Sequence, residues 1–319
     1  MDIRFPDMPK QISFQMDPIQ GVDITGDSTF QLALEAQNRG HDIYYHTPDM
    51  LTFENSRVTA TGQKMFLRNE VGNHVDLGEP QRLDLHKFDV VWLRQDPPFD
   101  MGYITTTHLL DFLKPDTLVV NNPFWVRNFP EKLLILQFPE IIPPTTIARD
   151  LDVLKSFRSI HGDVIVKPLY GNGGAGVFRL KTDDQNIASL HELFCKISSE
   201  PLIIQKFLPD VRDGDKRVIL VNGEAVGAIN RIPADGETRS NMHVGGRPEK
   251  VGLTKRDQEI CSIIGPTLRD KGQIFVGIDI IGNYLTEINV TSPTGLNELK
   301  RFDGINAAGL IWDAVEAKL

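Results

Sequence analysis

Val164-Ile165-Val166-Lys167-Pro168-Leu169-Tyr170-Gly171-Asn172-Gly173-Gly174-Ala175-Gly176-Val177-Phe178-Arg179-Leu180 decides how the rest is read. An apolar strand, Val164 to Val166, runs into Lys167 and then a glycine-rich loop. Gly171 to Gly176 matches G-x-G-x-x-G, but the dinucleotide fingerprint needs its last glycine to open a helix whose N-terminus meets the pyrophosphate. Here Val177-Phe178-Arg179-Leu180 is β-branched and aromatic, which predicts a second strand. A glycine loop between strands is a flexible cover that turns backbone N–H groups onto phosphates; an ordinary glycine-rich turn is the plain alternative. Lys167 leaves a buried strand beside those donors. It is placed to hold a phosphate as a point charge, against the plain reading of a snorkelling surface lysine.

Asp279, Glu287 and Asn289 form a second constellation. Glu287 and Asn289 are two apart on a predicted strand and share a face, while Ile288 and Val290 point the other way. Gly282-Asn283 predicts a hairpin turn before them. A strict two-residue turn would pair Asp279 with Thr286 and set the two carboxylates on opposite faces. A three-residue loop, its extra residue absorbed as a glycine bulge, pairs Asp279 with Glu287, and a metal site requires that second register. Three oxygen donors without His or Cys suit a hard cation such as Mg²⁺, held by one or two carboxylates plus substrate phosphates. A solvated polar sheet face is the plain alternative.

Around these motifs the chain reads as α/β. Gln11 to Met16, Asp42 to His46, Val90 to Leu93 and Leu118 to Val120 are strands, and Ser28 is read as the cap of a helix from Thr29 to Arg39. The run at Val90 to Leu93 requires cover on both faces, so an open parallel sheet is expected, with ligands beyond its carboxyl ends. Residues 55–85 read as a hairpin, and Asn222-Gly223 and Gly282-Asn283 predict two more. Asp303 to Ala317 reads as a closing helix. Prolines at 123 and 143–144 punctuate the middle. We expect an N-terminal α/β unit over 1–122, a small central unit over 123–204 and a C-terminal unit over 205–319.

The 319 residues carry 34 Lys plus Arg against 43 Asp plus Glu, a formal charge of −9 that disfavours nucleic-acid and membrane-surface roles. No run approaches the length a spanning helix needs, and the N-terminus lacks the layout of a signal peptide. Cys195 and Cys261 are read as reduced, packed thiols. A cytoplasmic protein is the expectation.

Taken together, Val166-Lys167-Pro168 with the glycine loop, Asp213-Gly214-Asp215-Lys216-Arg217, Gly236-Glu237-Thr238-Arg239 with Gly245-Gly246-Arg247, and Asp279 through Thr286-Glu287-Ile288-Asn289-Val290-Thr291-Ser292-Pro293 closely resemble the bacterial glutathione synthetases, ATP-grasp ligases. Met16-Asp17-Pro18 and Arg94 to Asp100 fit as well, so the resemblance spans about residue 11 to 318. It implies an ATP-grasp fold behind an N-terminal open-sheet domain. The implied reaction joins γ-glutamylcysteine and glycine through an acyl phosphate, releasing ADP and phosphate. Lys132, Lys167 and Gly171, Asn172, Gly173, Gly174, Ala175 and Gly176 would hold ATP, with Gln205-Lys206-Phe207 as the adenine hinge and Asp215 beside it. Asp279, Glu287 and Asn289 would hold Mg²⁺, or Mn²⁺.

By the same resemblance, Asp215, Arg217 and Arg231 line the reacting centre, with Lys167 on the phosphates; Arg217, on a predicted strand beside Asp215, is favoured over Arg231 for the oxyanion. Substrate contacts would come from Asp17, Ser28, Arg94, Asp96, Arg239, Asn241, Gly246, Arg247 and Ser292. Pro233 to Arg247, glycine-rich, carrying Arg239 and Arg247 and too long for a hairpin tip, reads as a lid, against the plain alternative of a disordered loop. A dimer or tetramer is implied. Gln95, where the family pattern has lysine, and Gly295 to Asn297 depart from that pattern. The other readings are a ligase of different acids and amines, such as a D-alanine or glutamate ligase, a nicotinamide-dependent oxidoreductase, and a non-enzymatic nucleotide-binding protein.

Overall fold

Three sheets follow one another along the chain in the computed structural model, which describes residues 9–237, 239–241 and 245–319. The first contains β1 (Gln11–Met16), β2 (Asp42–His46), β3 (Leu51–Glu54), β4 (Arg57–Leu67), β5 (Val75–Leu77), β6 (Gln81–Asp84), β7 (Val90–Arg94) and β8 (Leu118–Val120). β2, β1, β7 and β8 lie side by side and parallel, as the apolar run in β7 demands. The sheet is mixed rather than purely parallel, because β4 runs antiparallel to β2. β4 also pairs with β3, β5 and β6, so residues 55–85 are strands gathered round one long strand, not a single hairpin. Helices α1 (Ser28–Asn38), α2 (Met101–Asp111) and α3 (Pro123–Asn128) accompany this sheet. Asp27, not Ser28, caps α1, its carboxylate accepting from the Phe30 N–H.

The second sheet is antiparallel, in the order β11 (Phe178–Leu180), β10 (Val164–Pro168), β12 (Leu202–Lys206), β9 (Thr145–Ala148). The glycine loop therefore joins two strands, with Val166 opposite Phe178. Helices α4 (Leu151–His161) and α5 (Ile187–Ile197) supply Leu154, Ile187 and Phe194 to its core. Asp150 caps α4, and Gly162, at φ +81°, ends it.

The third sheet is also antiparallel: β15 (Arg247–Lys250), β14 (Glu224–Ile232), β13 (Asp215–Val221), β16 (Phe275–Ile281), β17 (Tyr284–Asn289). Helix α6 (Lys255–Asp270), opened by a Thr254–Asp257 capping box, packs with Phe129, Leu134 and Phe138 on a core that includes Val218 and Ile278. The expected closing helix, Asp303 to Ala317, is present as α8 (Ala307–Glu316), and a helix not expected from the sequence, α7 (Leu296–Asp303), precedes it and is stopped at Gly304, whose φ is +70°.

Ile311, Trp312 and Val315 of α8 share one core with Phe30, Leu32 and Trp92 of the first sheet's unit and with Ile219 and Ile229 of the third sheet. The Trp312 Nε1–H donates to the Leu32 carbonyl at 2.8 Å. Asn121 ties the same parts together: its amide donates to the Phe275 and Val290 carbonyls and accepts from the Phe275 N–H. Neither Cys195 nor Cys261 is in a disulfide. No helix among the described residues is long and apolar enough to cross a membrane.

Candidate active site

The β16–β17 hairpin sets the site. Ile281 pairs with Tyr284, so Gly282-Asn283 is a two-residue turn, and Gly282 takes the positive φ (+57°) such a turn asks of its first position. Ile280 then pairs with Leu285 while Asp279 pairs with Glu287, leaving Thr286 as a bulged extra residue. The register required for a metal site is present, but a bulge in β17 creates it rather than a three-residue loop. Thr286 turns its hydroxyl onto the Asp279 carbonyl at 3.1 Å. Asp279, Glu287 and Asn289 all line one cavity of about 420 Å³.

Charges alternate across the neighbouring strands. Arg217 on β13 is the register partner of Asp279, and its Nε and Nη2 donate to the two carboxylate oxygens at 2.5 and 2.9 Å. Arg231 on β14 lies 2.6 Å from Asp215 Oδ2 and 3.0 Å from Asp279 Oδ1. Burial would raise the Asp279 pKa, but Arg217 and Arg231 outweigh it and hold this carboxyl well below the usual range. For Asp215 the balance reverses: burial prevails over Arg231 and pushes the carboxyl up. Asp215 Oδ2 also accepts from the Ser240 hydroxyl, while Oδ1 is buried without a partner among the described residues.

Two lysines reach the hairpin from outside its sheet. Lys167 Nζ, at the end of β10, donates to Glu287 Oε1 at 2.9 Å, and Lys132 Nζ lies 3.8 Å from the same oxygen. Lys132 also donates to the Gly171 carbonyl at 2.6 Å, tying it to the root of the glycine loop. Burial of Glu287 is outweighed by these two cations, so its carboxyl is held low. Lysines carry charge in a compact, strongly hydrated head, well suited to exchange a carboxylate for an arriving phosphate.

The cavity brings together Lys132, Lys167, Gly171 to Ala175, Gln205, Lys206, Phe207, Asp215, Arg217, Arg231 and the three hairpin residues, with Asp96, Arg239, Asn241 and Ser292. Several other candidates stand off its wall. Gly176 is turned against Pro168, and a Cβ there would lie 3.0 Å from Pro168 Cγ. Asp17 accepts from the Asp96 N–H. The Ser28 hydroxyl accepts from the Gly295 and Leu296 N–H groups, capping α7 from a distant part of the chain. Arg94 is buried, donating to Thr29 Oγ1 and the Pro293 carbonyl. Gly246 allows a backbone crossing, since a Cβ would fall 1.9 Å from the Ser240 carbonyl oxygen. Arg247 is largely exposed and pairs with Glu249. Within the segment expected as a lid, Thr238 and Met242 to Val244 lie outside the described residues.

Glu131, and Thr291, which the sequence offers only as part of the Asp279 to Pro293 motif, line the cavity without an expected role there. The Thr291 hydroxyl donates to Glu131 Oε1 at 2.7 Å, and burial raises the Glu131 carboxyl pKa. Adjacency to Lys132 was the one available signal for Glu131.

Family models for the prokaryotic glutathione synthetase N-terminal domain and ATP-grasp domain match residues 11–127 and 131–304. The chain belongs to the prokaryotic glutathione synthetase family. It is 57% identical to the glutathione synthetase of Brucella melitensis over 98% of this chain and 100% of that one. Against the glutathione synthetase of Agrobacterium fabrum the figures are 55%, 97% and 97%; against that of Yersinia pestis, 41%, 97% and 98%.

Among solved structures, the D-cycloserine synthetase DcsG superposes with a TM-score of 0.69 at 14% identity, covering 97% of this chain and 99% of its own. The ATP-grasp ligase PsnB with its minimal precursor gives 0.64 at 17%, covering 97% and 99%. These two show the ATP-grasp fold. Glutathione synthetases of this family use ATP and a divalent cation, and the donor set here fits that demand. Among the described residues no group of three or more His, Cys, Asp or Glu side chains converges. Asp279, Glu287 and Asn289 instead offer two carboxylates and one amide on one hairpin face, a donor set that suits a hard cation whose coordination is completed by phosphate oxygens.

Proposed function

We propose that this glutathione synthetase family member carries its ligase chemistry in the cavity between the β10 lysine and the β16–β17 hairpin. ATP, γ-glutamylcysteine and glycine are its substrates, and glutathione, ADP and phosphate its products. The observation that carries the assignment is that Lys167 and Lys132 both approach Glu287, itself register-paired to Asp279, inside a cavity also walled by the glycine loop. The grip on ATP then falls between the units at 123–204 and 205–319.

A carboxylate does not yield its oxygen to an amine under mild conditions. In the proposed sequence the dipeptide's glycyl-accepting carboxylate oxygen attacks the γ-phosphorus of ATP, the bond to the β-γ bridging oxygen breaks, and ADP leaves. The glycine amine then adds to the acyl carbon, loses a proton, and expels phosphate. Phosphoryl transfer of this kind asks for charge neutralisation more than covalent help. Lys167 and Lys132 supply it on the phosphates, and the Gly171 to Ala175 backbone covers them. Arg217, kept in place by Asp279, is the donor assigned to the tetrahedral oxyanion. Asp279, Glu287 and Asn289 would hold Mg²⁺ or Mn²⁺, which when bound offsets the negative charge of the phosphates.

The experiment is a substrate panel with the purified chain, ATP and Mg²⁺, scoring phosphate release and product mass together. Glutathione formed only when γ-glutamylcysteine and glycine are both present is the expected result. Equal or faster turnover with D-alanine or glutamate as the amine would overturn the substrate assignment, and absence of phosphate release with every pair would overturn the ligase reading.

A further inference from the structure

We propose that Phe99 and Tyr170 form an aromatic clasp that fastens the glycine-rich loop to the Arg94–Asp100 segment, making both of them positioning residues for the ligation. The inference rests on the ligase reading above. Phe99 and Tyr170 belong to different units of the chain, yet their rings stack with centroids 5.8 Å apart and planes 21° from parallel. Phe99 is itself braced: its ring lies 5.1 Å from that of Tyr103, which is fully buried in α2. Asp100 caps that helix by accepting from the Tyr103 N–H at 2.9 Å. Phe99 is thus a fixed post, and Tyr170 is the residue immediately before Gly171 that lands on it.

Both segments meet the reacting centre. Asp96 and Pro97 of one, and Gly171 to Ala175 of the other, line the same cavity. Gly173, Gly174 and Gly176 all hold positive φ and bring no side chain to anchor the loop. Among the described residues its side-chain hydrogen bonds to other segments come from cations: Lys132 donates to the Gly171 carbonyl, and Arg239 Nη1 to the Gly174 carbonyl at 3.4 Å. A triphosphate entering the cavity competes for those two cations. A ring stack carries no net charge and is left intact when phosphate arrives. The clasp therefore keeps the phosphate cover and the dipeptide wall together during the interval in which an acyl phosphate must be shielded from water.

The test compares wild type, Tyr170→Ala, Tyr170→Phe, Phe99→Leu and the Phe99→Leu/Tyr170→Ala double variant. Glutathione and phosphate are measured in the same samples as γ-glutamylcysteine is varied. Loss of one stacked pair predicts a rise in dipeptide KM of about two- to tenfold in Tyr170→Ala. More phosphate should be released per glutathione, with kcat less affected. Tyr170→Phe, which keeps the ring, should behave as wild type, and the double variant should be no worse than the single ones. Wild type that makes no glutathione overturns the ligase reading and the clasp with it. Wild type that does, alongside a Tyr170→Ala enzyme of unchanged KM and phosphate ratio, overturns the clasp alone, as does an additive double variant. Should Phe99→Leu fail to fold, the Tyr170→Ala and Tyr170→Phe pair decides the question.

Discussion

Arg217 and Asp279 are register partners on adjacent strands, and the guanidinium grips both oxygens of the carboxylate while Arg231 reaches one of them from the next strand. The three side chains belong to residues only 9%, 4% and 5% exposed, so none is compensated by bulk water. Asp279→Ala would leave two guanidiniums buried without their shared counter-charge. Removing one partner of a buried pair costs about 3–5 kcal/mol, and a loss of that order in urea-unfolding free energy is expected. An unchanged unfolding midpoint would show that the arginines hold each other's environment without Asp279.

Acid should unfold the protein through Asp279 and its hairpin partner Glu287. Asp279 and Glu287 have pKa values lowered in the fold, so each contributes stability that is present above its unfolded value, about pH 4, and is lost as pH falls toward the folded value. Asp215 and Glu131 are raised and act in the opposite sense, contributing most below their unfolded pKa and losing it as pH climbs through the folded one. Denaturant titrations from pH 3 to 7 check both signs. Glu287→Gln should flatten the acid-side loss, whereas Asp215→Asn should steepen the net rise of stability with pH. The same slope in all three proteins would contradict the electrostatic assignment.

Lys167→Ala should lower kcat/KM by about a hundredfold or more, the scale of removing one preorganised electrostatic donor. The fold should survive, because Lys132 remains 3.8 Å from Glu287. Lys167→Arg should not restore the rate, since a planar fork cannot occupy the place of a compact ammonium at a strand end. Steady-state kinetics with circular dichroism on the same samples separate lost chemistry from lost structure, and a variant of wild-type activity would mean the nucleotide lies elsewhere.

Gly174 sits at φ +81°, and an added Cβ would come 2.8 Å from Asn241 Oδ1 and 3.2 Å from Arg239 Cδ. Gly174→Ala is expected to push the loop off those neighbours and raise the KM for ATP several-fold, about the effect of 1 kcal/mol of backbone strain, with little change in the thermal midpoint. A nucleotide titration of the purified variant reads this directly, and unaltered ATP affinity would show that the loop's present path is not the one used for binding.

How much of this was legible follows from the range of each contact. The strand–glycine loop–strand unit and the hairpin carboxylates are local patterns, and period-two alternation was enough to place Glu287 and Asn289 on one face. The two-residue turn with Thr286 bulged differs from the expected three-residue loop because a bulge inside a strand leaves no mark in the sequence that distinguishes it from a longer loop. Ser28 and Arg94 illustrate the opposite limit. Ser28 looks like a helix cap from its neighbours, yet Asp27 does that work and the Ser28 hydroxyl serves Gly295 and Leu296. Arg94 reaches Pro293, 199 positions away, and no local spacing announces such a partner. Glu131 went unnoticed for the same reason, since its meaning comes from Thr291.

The seating of Trp312 on Leu32 has a consequence for how the polypeptide is made. The apolar surface formed by Phe30, Leu32 and Trp92 waits, during translation, for a helix that is 280 positions downstream of Leu32. Until the ribosome delivers it, the early-made half carries an open greasy face. Nascent chains stalled before Ala307 should accordingly depend on chaperones that full-length ones can do without.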